Sequence, residues 1–498
     1  MATQSLLSSV SPTQLLFSSI LAYLVYGISR ALYNIFLHPL SSFPGPKLRA
    51  GFYFPFYYER LTGDYIQRWH ALHEEYGEFV RIAPDTLSTV SPDAWRDIYG
   101  AGKEFQKDWR FYQRDPADAE NHMLVAPDAD HARMRRSMAH AFSPHALRSQ
   151  EDFITGYFDL LVAKLRGRAQ AGEPVDITRW MNAATFDITG DLAFAEPFGA
   201  LESDTRHAWI DATLAGVKWL RLLEPLRAYP VVGVPVFALL KRWPALERAR
   251  KRQFDYIDGK LARRLQSTAD RKDFLGHMTA HTSPGTGFTP GELRLTASLL
   301  ILAGSETTAT CLSGCIALLL AHPLWLSRLA AELRTFSHPS QLSFAALAPL
   351  PVLTAVLTEA LRLYPPVPAD MPRVAPAHAT VAGRCVPEGT RVGVPMYPAY
   401  RYSRNFTDAG LFRPQRWLGD ARYAADRRAV LQPFGMGGRN CIGQRFAWAE
   451  MRGLLARVVW AFEMEGCAGG VVGEGWVGGQ KVFLAWEKRP LMSSMRGV

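Results

Sequence analysis

A chain of 498 residues that is 48% hydrophobic can bury a large core, which excludes a mainly disordered protein. Five cysteines (Cys311, Cys315, Cys385, Cys441 and Cys467) form an odd set without framework spacing, which excludes a disulfide scaffold and places most of the chain in a reducing compartment. The formal charge of +10 is spread along the chain, not gathered into the basic stripe of a nucleic-acid binder, and fits an acidic membrane surface or an acidic protein partner.

The first predicted element is PTQLLFSSILAYLVYGIS, an uncharged run between Ser11 and Arg30 that LYNIFLHPL extends. It approaches the ~20 residues a helix needs to cross a bilayer. No basic start or small-residue cleavage site marks it as a signal peptide, so it reads as an uncleaved anchor with its basic, carboxyl side in the cytosol. A buried amphipathic helix is the other reading. FPGPK, Phe43 to Lys47, ends the run, because proline restricts itself and its predecessor. The expected division is an anchor at 1–42, a stiff Pro/Gly hinge at 43–50 and one large body at 51–498, since no repeat, low-complexity tract or linker interrupts the remainder.

Helical patterns dominate that body, with short β-like pieces at EFVRIAP, TLSTVS, around Thr380 and Val392, and in the Gly-rich tail from Gly466 to Gly479. The expected class is mainly α with small β-sheets, not an alternating α/β nucleotide fold. Thr289-Pro290-Gly291-Glu292 is a capping box with proline at the first helical position, and the helix it opens runs to about Ala321, before Pro323. Between Leu295 and Ala321 its one charged residue is Glu306. Hydropathy alone would allow a second membrane span, but AGSETTAT places polar groups where a lipid-facing helix should be driest, so a buried central helix is expected. Gly304 weakens that helix and Thr307 can bond back to a carbonyl, which predicts a local widening.

Glu359 and Arg362, three residues apart, share a helix face, and the forked guanidinium of Arg416 can join them. Taken alone, such a pair is usually solvated. FGMGGRNCIG then sets Cys441 among Gly435, Gly437, Gly438 and Gly443. It lacks the third glycine of a dinucleotide loop, the Gly-Lys-Ser/Thr of a Walker loop and any nearby Cys or His at zinc spacing. What remains is a thiolate ligand in a glycine-lined bend, or a buried thiol without chemistry. Backbone N–H groups and the start of the next helix, near Gly443, would lower the thiol pKa.

Phe434-x-x-Gly437-x-Arg439-x-Cys441-x-Gly443 resembles the haem-binding signature of the cytochrome P-450 family at every defining position. The same family's motifs are resembled, in order, by Ala303-Gly304-x-Glu306-Thr307-Thr308, Glu359-x-x-Arg362 and Phe412-x-Pro414-x-Arg416-Trp417. The resemblance implies a cytochrome P-450 fold: a single large catalytic domain preceded by one transmembrane helix. It implies haem b, iron protoporphyrin IX, with Cys441 as axial thiolate, and NADPH used indirectly through NADPH-cytochrome P-450 reductase. Phe434 packs beside that haem, and Gly437 and Gly443 allow close approach. Arg439, Arg373, His131 and Arg135 serve as cations for the propionates, with His131 standing where the family has tryptophan. Glu306 and Thr307 become the acid-alcohol pair that relays protons for O–O cleavage, and Glu359, Arg362 and Arg416 a buried structural network. Arg133, Arg136, Arg445 and Arg452 fall near the face where a reductase docks.

The family's substrate-facing stretches correspond here to Gly102–Val125, Phe198–Trp243, the long helix before Gly304, the turn Pro365–Arg373 and the tail hairpin, all rich in aromatic and aliphatic residues. Asp370, in that turn, either bonds a substrate hydroxyl or caps local backbone. YNIFLHPLSSFPGPK, AFAEPFGAL and GRNCIGQRFAWAEMR resemble fungal enzymes that oxidise polyketides or terpenoids in secondary metabolism. The expected activity is a reductase-dependent monooxygenase that inserts one atom of O2 into a lipophilic substrate. Its expected place is the lipid bilayer of the endoplasmic reticulum, single-pass, with the catalytic domain in the cytosol and no nucleic-acid partner. The alternatives are a haem-thiolate isomerase or dehydratase needing no reductase, against which Glu306-Thr307 is intact, and a non-catalytic protein with spans at 12–36 and 295–321.

Overall fold

The computed structural model describes residues 11–112, 120–203, 208–267, 271, 273–279 and 287–498. Of the expected substrate-facing stretches, 113–119 and 204–207 lie outside the described residues. Helix α1 (Pro12–Phe36) begins at a capping box in which Ser11 and Gln14 each accept the other's backbone N–H. Only 6% of its most apolar stretch is buried. Its carboxyl end meets the body, where the Asn34 side chain donates to Gly51 O at 3.2 Å and the Asn34 carbonyl accepts from Arg81 at 2.8 Å.

The chain continues through α2 (Lys47–Gly51), α3 (Phe54–Thr62) and α4 (Tyr65–Tyr76) into strands β1 (Phe79–Ala83) and β2 (Thr86–Thr89). The FPGPK segment is stitched to β1: Arg81 N donates to Pro44 O at 2.7 Å. A Cβ on Gly45, at φ +153, would lie 2.6 Å from the Arg81 carbonyl, so that approach requires glycine.

The further principal helices are α5 (Asp93–Tyr99), α6 (Asp128–Ala139), α7 (Glu151–Gln170), α8 (Ile177–Phe194), α9 (Ala208–Leu222), α10 (Pro230–Lys241), α11 (Pro244–Gln266), α12 (Pro290–Ala321), α13 (Pro351–Leu363) and α14 (Gln444–Ala461). The further strands are β3 (Gln106–Lys107), β4 (Val175–Asp176), β5 (Arg373–Val374), β6 (Ala379–Val381), β7 (Arg384–Val386), β8 (Arg391–Gly393), β9 (Phe462–Gly466), β10 (Lys481–Val482), β11 (Trp486–Glu487) and β12 (Met492–Gly497). They form one five-stranded sheet in the order β1-β2-β8-β5-β3, a three-stranded sheet β4-β12-β9 and two hairpins, β6-β7 and β10-β11. The β2/β8 pairing is parallel and the others in the large sheet are antiparallel. The molecule is thus mainly helical with small sheets.

Helix α12 runs through the core. Its capping box forms as expected, with Glu292 N donating to Thr289 Oγ1 at 3.2 Å and Thr289 N to Glu292 Oε2 at 3.0 Å. Of its most apolar stretch 67% is buried, against 6% in α1, and Ile301, Cys311, Leu312, Cys315 and Ile316 are among its core residues. It is a central helix, packed chiefly along α8 and crossed by α13 and α14. The expected widening near Gly304 does not occur: the α-helix is continuous from Pro290 to Ala321. Gly304 has a different use, since a Cβ there would lie 3.0 Å from Thr189 Cγ2 of α8. Close helix packing, not helix opening, requires the glycine.

The pair on α13 is fully buried, not solvated. Arg362 grips Glu359 with two bonds, Nε to Oε2 at 2.9 Å and Nη2 to Oε1 at 2.8 Å, and donates to the carbonyls of Tyr400 (2.8 Å), Ala409 (2.6 Å) and Leu411 (3.0 Å). Arg416 reaches Glu359 at 3.1 Å and also pairs with Asp426. Trp417 Nε1 (2.9 Å) and Arg413 N (2.9 Å) complete the shell around the carboxylate. Burial alone would raise the Glu359 pKa, but Arg362 and then Arg416 overcome it and hold it at about 2. Glu359→Ala leaves two buried guanidiniums without their carboxylate and is expected to cost about 3–5 kcal/mol in denaturant unfolding. Because the folded pKa lies below the ordinary 4.5, this contribution is complete above that value and is lost as pH falls toward 2. Acid titration of stability should therefore be shallower in Glu359→Gln than in the parent.

Candidate functional site

The cysteine loop leads into α14. Cys441 N donates to Phe434 O at 2.8 Å, closing the bend, and Gly435 and Gly437 take φ of +69 and +74. Gly443 is the N-cap of α14, and its N–H points at the Cys441 sulfur. The Phe434 ring stands 6.0 Å from that of Trp448. A Cβ on Gly437 would fall 1.9 Å from the Tyr99 carbonyl at the end of α5, so close packing against α5 fixes this glycine. Gly443 has only ordinary contacts, the nearest to Phe142 at 3.7 Å.

Cys441 presents exposed area, while the atoms around its thiol desolvate it. Burial pushes the thiol pKa up, and the Gly443 N–H and the Arg135 charge, which pull it down, do not prevail. Cys311 and Cys315 are fully buried in α12, where burial raises both thiols. Among the described residues no group of His, Cys, Asp and Glu side chains could hold a metal ion by itself.

Beside the loop lies a cluster of cations. Arg439 donates to Ala126 O at 2.9 Å and from Nε to Asp128 at 3.0 Å, while its Nη1 is buried without a partner. Arg373 is buried in β5; its guanidinium lies over the Tyr99 ring at 5.2 Å and bonds neutral oxygens, Tyr112 OH at 3.2 Å among them. Arg135 does not reach toward a free anion: it binds the Asn440 carbonyl at 2.7 Å and so clamps the residue before Cys441. His131 is buried on α6, and burial followed by Arg439 and Lys107 lowers its pKa to about 4. Lys107 of β3 was missed in the sequence. Burial, then Arg439 and Arg373, push its pKa down to about 6, and it donates to Leu124 O. His122 is lowered to about 4 by burial and by Lys107.

A cavity of about 680 Å³ is lined by Phe111, Tyr112, Leu124, Ile210, Leu214, Leu302, Ala303, Val367, Met371, Phe483 and Trp486, with Glu306, Thr307 and Asp370 in its wall. Thr307 Oγ1 donates to Ala303 O at 2.7 Å, the back-bond expected of it. Glu306 is buried and ion-paired with Lys488 at 2.7 Å, a partner the sequence reading did not find. Asp370 is buried as well; burial raises its pKa while Arg60 and Arg391 draw it back. Glu450 of α14 was also missed. It is fully buried beside Thr308 of α12, and burial lifts its carboxyl to about 8. Of the four peripheral arginines, Arg136 and Arg445 are exposed. Arg133 is engaged within the chain, bonding Glu292 at 2.6 Å, and Arg452 lies 4.6 Å over the Trp448 ring.

Residues 44–472 match the family model described as Cytochrome P450. The chain is 39% identical over 481 residues to the cytochrome P450 monooxygenase astJ of Aspergillus oryzae, covering 94% of each chain. It is 39% identical over 477 residues to an averantin hydroxylase of Dothistroma septosporum, with 94% of this chain and 89% of that one covered. To an averantin hydroxylase of Aspergillus parasiticus it is 38% identical over 471 residues, covering 93% of each.

Gly437→Ala tests the loop. The left-handed backbone alone costs a non-glycine residue about 1–3 kcal/mol, and the Tyr99 carbonyl adds a clash. Denaturant unfolding should register a loss at or above that range, whereas Gly438→Ala, with open space around its Cβ position, should cost much less.

Proposed function

The chain belongs to the cytochrome P450 family and is a haem-thiolate monooxygenase, and we propose that Cys441 is the residue that holds its iron. The observation that carries this assignment is one desolvated thiol beside a group of basic side chains opposed mainly by Asp128. That donor set fits haem: a single sulfur for the metal, Arg439 and Arg373 as standing charges for two propionates, and Lys107 and His131 as hydrogen-bonding groups beside them, with Arg439 Nη1 still unpartnered. A thiol that coordinates a metal is deprotonated by it. Phe434, Gly437 and Gly443 then shape the bend around it.

When bound, the haem supplies dioxygen activation with electrons drawn from NADPH through a reductase, and one oxygen atom enters the substrate. The chain's own residues do the rest. Glu306 and Thr307 sit in adjacent positions on the cavity side of α12 and are proposed as the acid and alcohol that supply protons. The mainly apolar wall of Phe111, Leu302, Phe483 and Trp486 binds a lipophilic substrate and excludes water. Asp370, in the cavity wall, is proposed either to bond a substrate hydroxyl or to cap its local backbone. The proposed substrate is a polyketide or terpenoid intermediate of fungal secondary metabolism, and hydroxylation is favoured because two relatives are named hydroxylases. An isomerase or dehydratase is not favoured.

The proposed setting is the endoplasmic reticulum membrane, with 1–42 as single-pass anchor, 43–50 as hinge and 51–498 as cytosolic catalytic domain. Support comes from the unpartnered apolar length of α1 and from a second apolar surface nearby. Phe54 of α3 and Val231, Val234 and Leu239 of α10 are exposed, and Tyr57 meets Tyr229 at 6.3 Å, so the two surfaces adjoin. Arg136 and Arg445, on the cysteine side, are the arginines left to meet an acidic reductase, NADPH-cytochrome P450 reductase in this reading.

Cys441→Ala is expected to abolish the thiolate-type Soret band of the ferrous-CO complex; a mutant that kept it would refute the ligand assignment. Turnover should require both NADPH and reductase, and removal of the gene should cause a metabolite lacking one hydroxyl to accumulate. Lys107→Met should speed haem transfer to an acceptor apoprotein by on the order of tenfold, the worth of one hydrogen bond to a charged group.

A further inference from the structure

We propose that Lys488 is a positioning residue for Glu306, holding it as a carboxylate with one oxygen anchored and the other left available beside the cavity. The inference rests on the reading of Glu306 in the proton supply, in which the carboxylate takes up a proton at its free oxygen and passes it on toward the cavity, and it adds a residue that no motif contains.

The geometry is specific. Lys488 follows β11 in the carboxyl-terminal hairpin and is buried, as is Glu306, so the pair is shielded from the screening that makes surface ion pairs weak. The ammonium has three N–H donors and three acceptors: Glu306 Oε1 at 2.7 Å, Asn182 Oδ1 at 2.9 Å and Thr310 Oγ1 at 3.1 Å. Thr310 Oγ1 lies 3.3 Å from the same Glu306 oxygen. The other oxygen, Oε2, is buried with no hydrogen-bond partner. Thr307 is meanwhile bonded to Ala303 O, so acid and alcohol are held apart, each with its own partner.

A buried carboxylate without a counter-ion takes up a proton, because desolvation penalises the charged form. The groups facing Glu306 are Lys488 from the hairpin, Asn182 from α8, Thr310 from α12 itself and Tyr364, just past α13, whose hydroxyl is directed to Gln480 at 2.6 Å. Of these only Lys488 carries a positive charge. Burial lowers the Lys488 pKa, and its contact with Glu306 works against that fall. The hairpin also lends Phe483 and Trp486 to the cavity wall. The segment that touches the substrate thus also sets the charge of the acid.

The test uses holoenzyme with its reductase and the variants Lys488→Met, Lys488→Arg, Glu306→Gln and Lys488→Met/Glu306→Gln. Infrared difference spectra across neutral pH report the protonated carboxyl directly. Lys488→Met should show a carboxylic acid band that is absent from the parent and from the double variant. Product formed per NADPH consumed should fall several-fold in Lys488→Met, recover in Lys488→Arg, and fall no further in the double variant than in Glu306→Gln. Should Lys488→Met not accumulate, Lys488→Gln keeps hydrogen bonding without the charge and is read in the same way. A Lys488→Met enzyme without the band, or with the band and undiminished coupling, overturns the proposal. Undiminished coupling in Glu306→Gln would instead sink the reading of Glu306 as the acid, while the band would still decide the pairing.

Discussion

The buried carboxylate of Glu359 is the point on which the cysteine side of the molecule depends. Through Arg362 it fixes the carbonyls of Tyr400, Ala409 and Leu411, and through Arg416 it reaches Thr407 and Asp426. The stretch from Tyr400 to Asp426 has no long helix or sheet pairing of its own, so its backbone polar groups need partners from elsewhere. Two guanidiniums supply them, and one carboxylate keeps both charges tolerable in the interior. This ordered segment runs on to the cysteine loop, so the position of Cys441 is inherited from a network on α13 that does not touch it.

Helix α12 answers a second constraint. Its two ends are built like those of any core helix, and its apolar residues pack on α8, α13 and α14. The polar turn from Ser305 to Thr310 is satisfied internally, by back-bonds from Ser305, Thr307 and Ser313 to carbonyls one turn earlier and by Lys488 on Glu306. A polar centre is affordable because each group has a partner, and the exception, Glu306 Oε2, lies next to the cavity.

What the sequence made legible was local. The bounds of α12 followed from Thr289, Glu292 and Pro323, and the Glu359-Arg362 contact from helix periodicity. The glycines were only half legible: Gly437 was singled out for close approach to haem, whereas the constraint on it is the carbonyl of Tyr99, and Gly304 packs on Thr189 instead of widening the helix. Lys107 and Lys488 could not be found, because one lies in a two-residue strand and the other past the last motif, and their partners come from distant parts of the chain. The thiol of Cys441 was misjudged in sign, since counting nearby N–H groups leaves out desolvation, which dominates.

Lys107, Arg373, Arg439 and Arg135 converge near the loop, with His131 and His122 among them and Asp128 as opposing charge. Burial first and the neighbouring charges second lower Lys107 to about 6 and His131 to about 4. A group bearing two carboxylates reverses the balance, since each anion that enters makes a proton on Lys107 favourable again. Binding of that group and protonation of Lys107 are therefore linked, each strengthening the other. A cysteine that ligates a metal does so as the thiolate, so metal binding at such a bend would release the proton that desolvation favours on sulfur. Binding of a dicarboxylate cofactor there would therefore depend on pH at both ends of the loop, through proton uptake at Lys107 and proton release at the thiol.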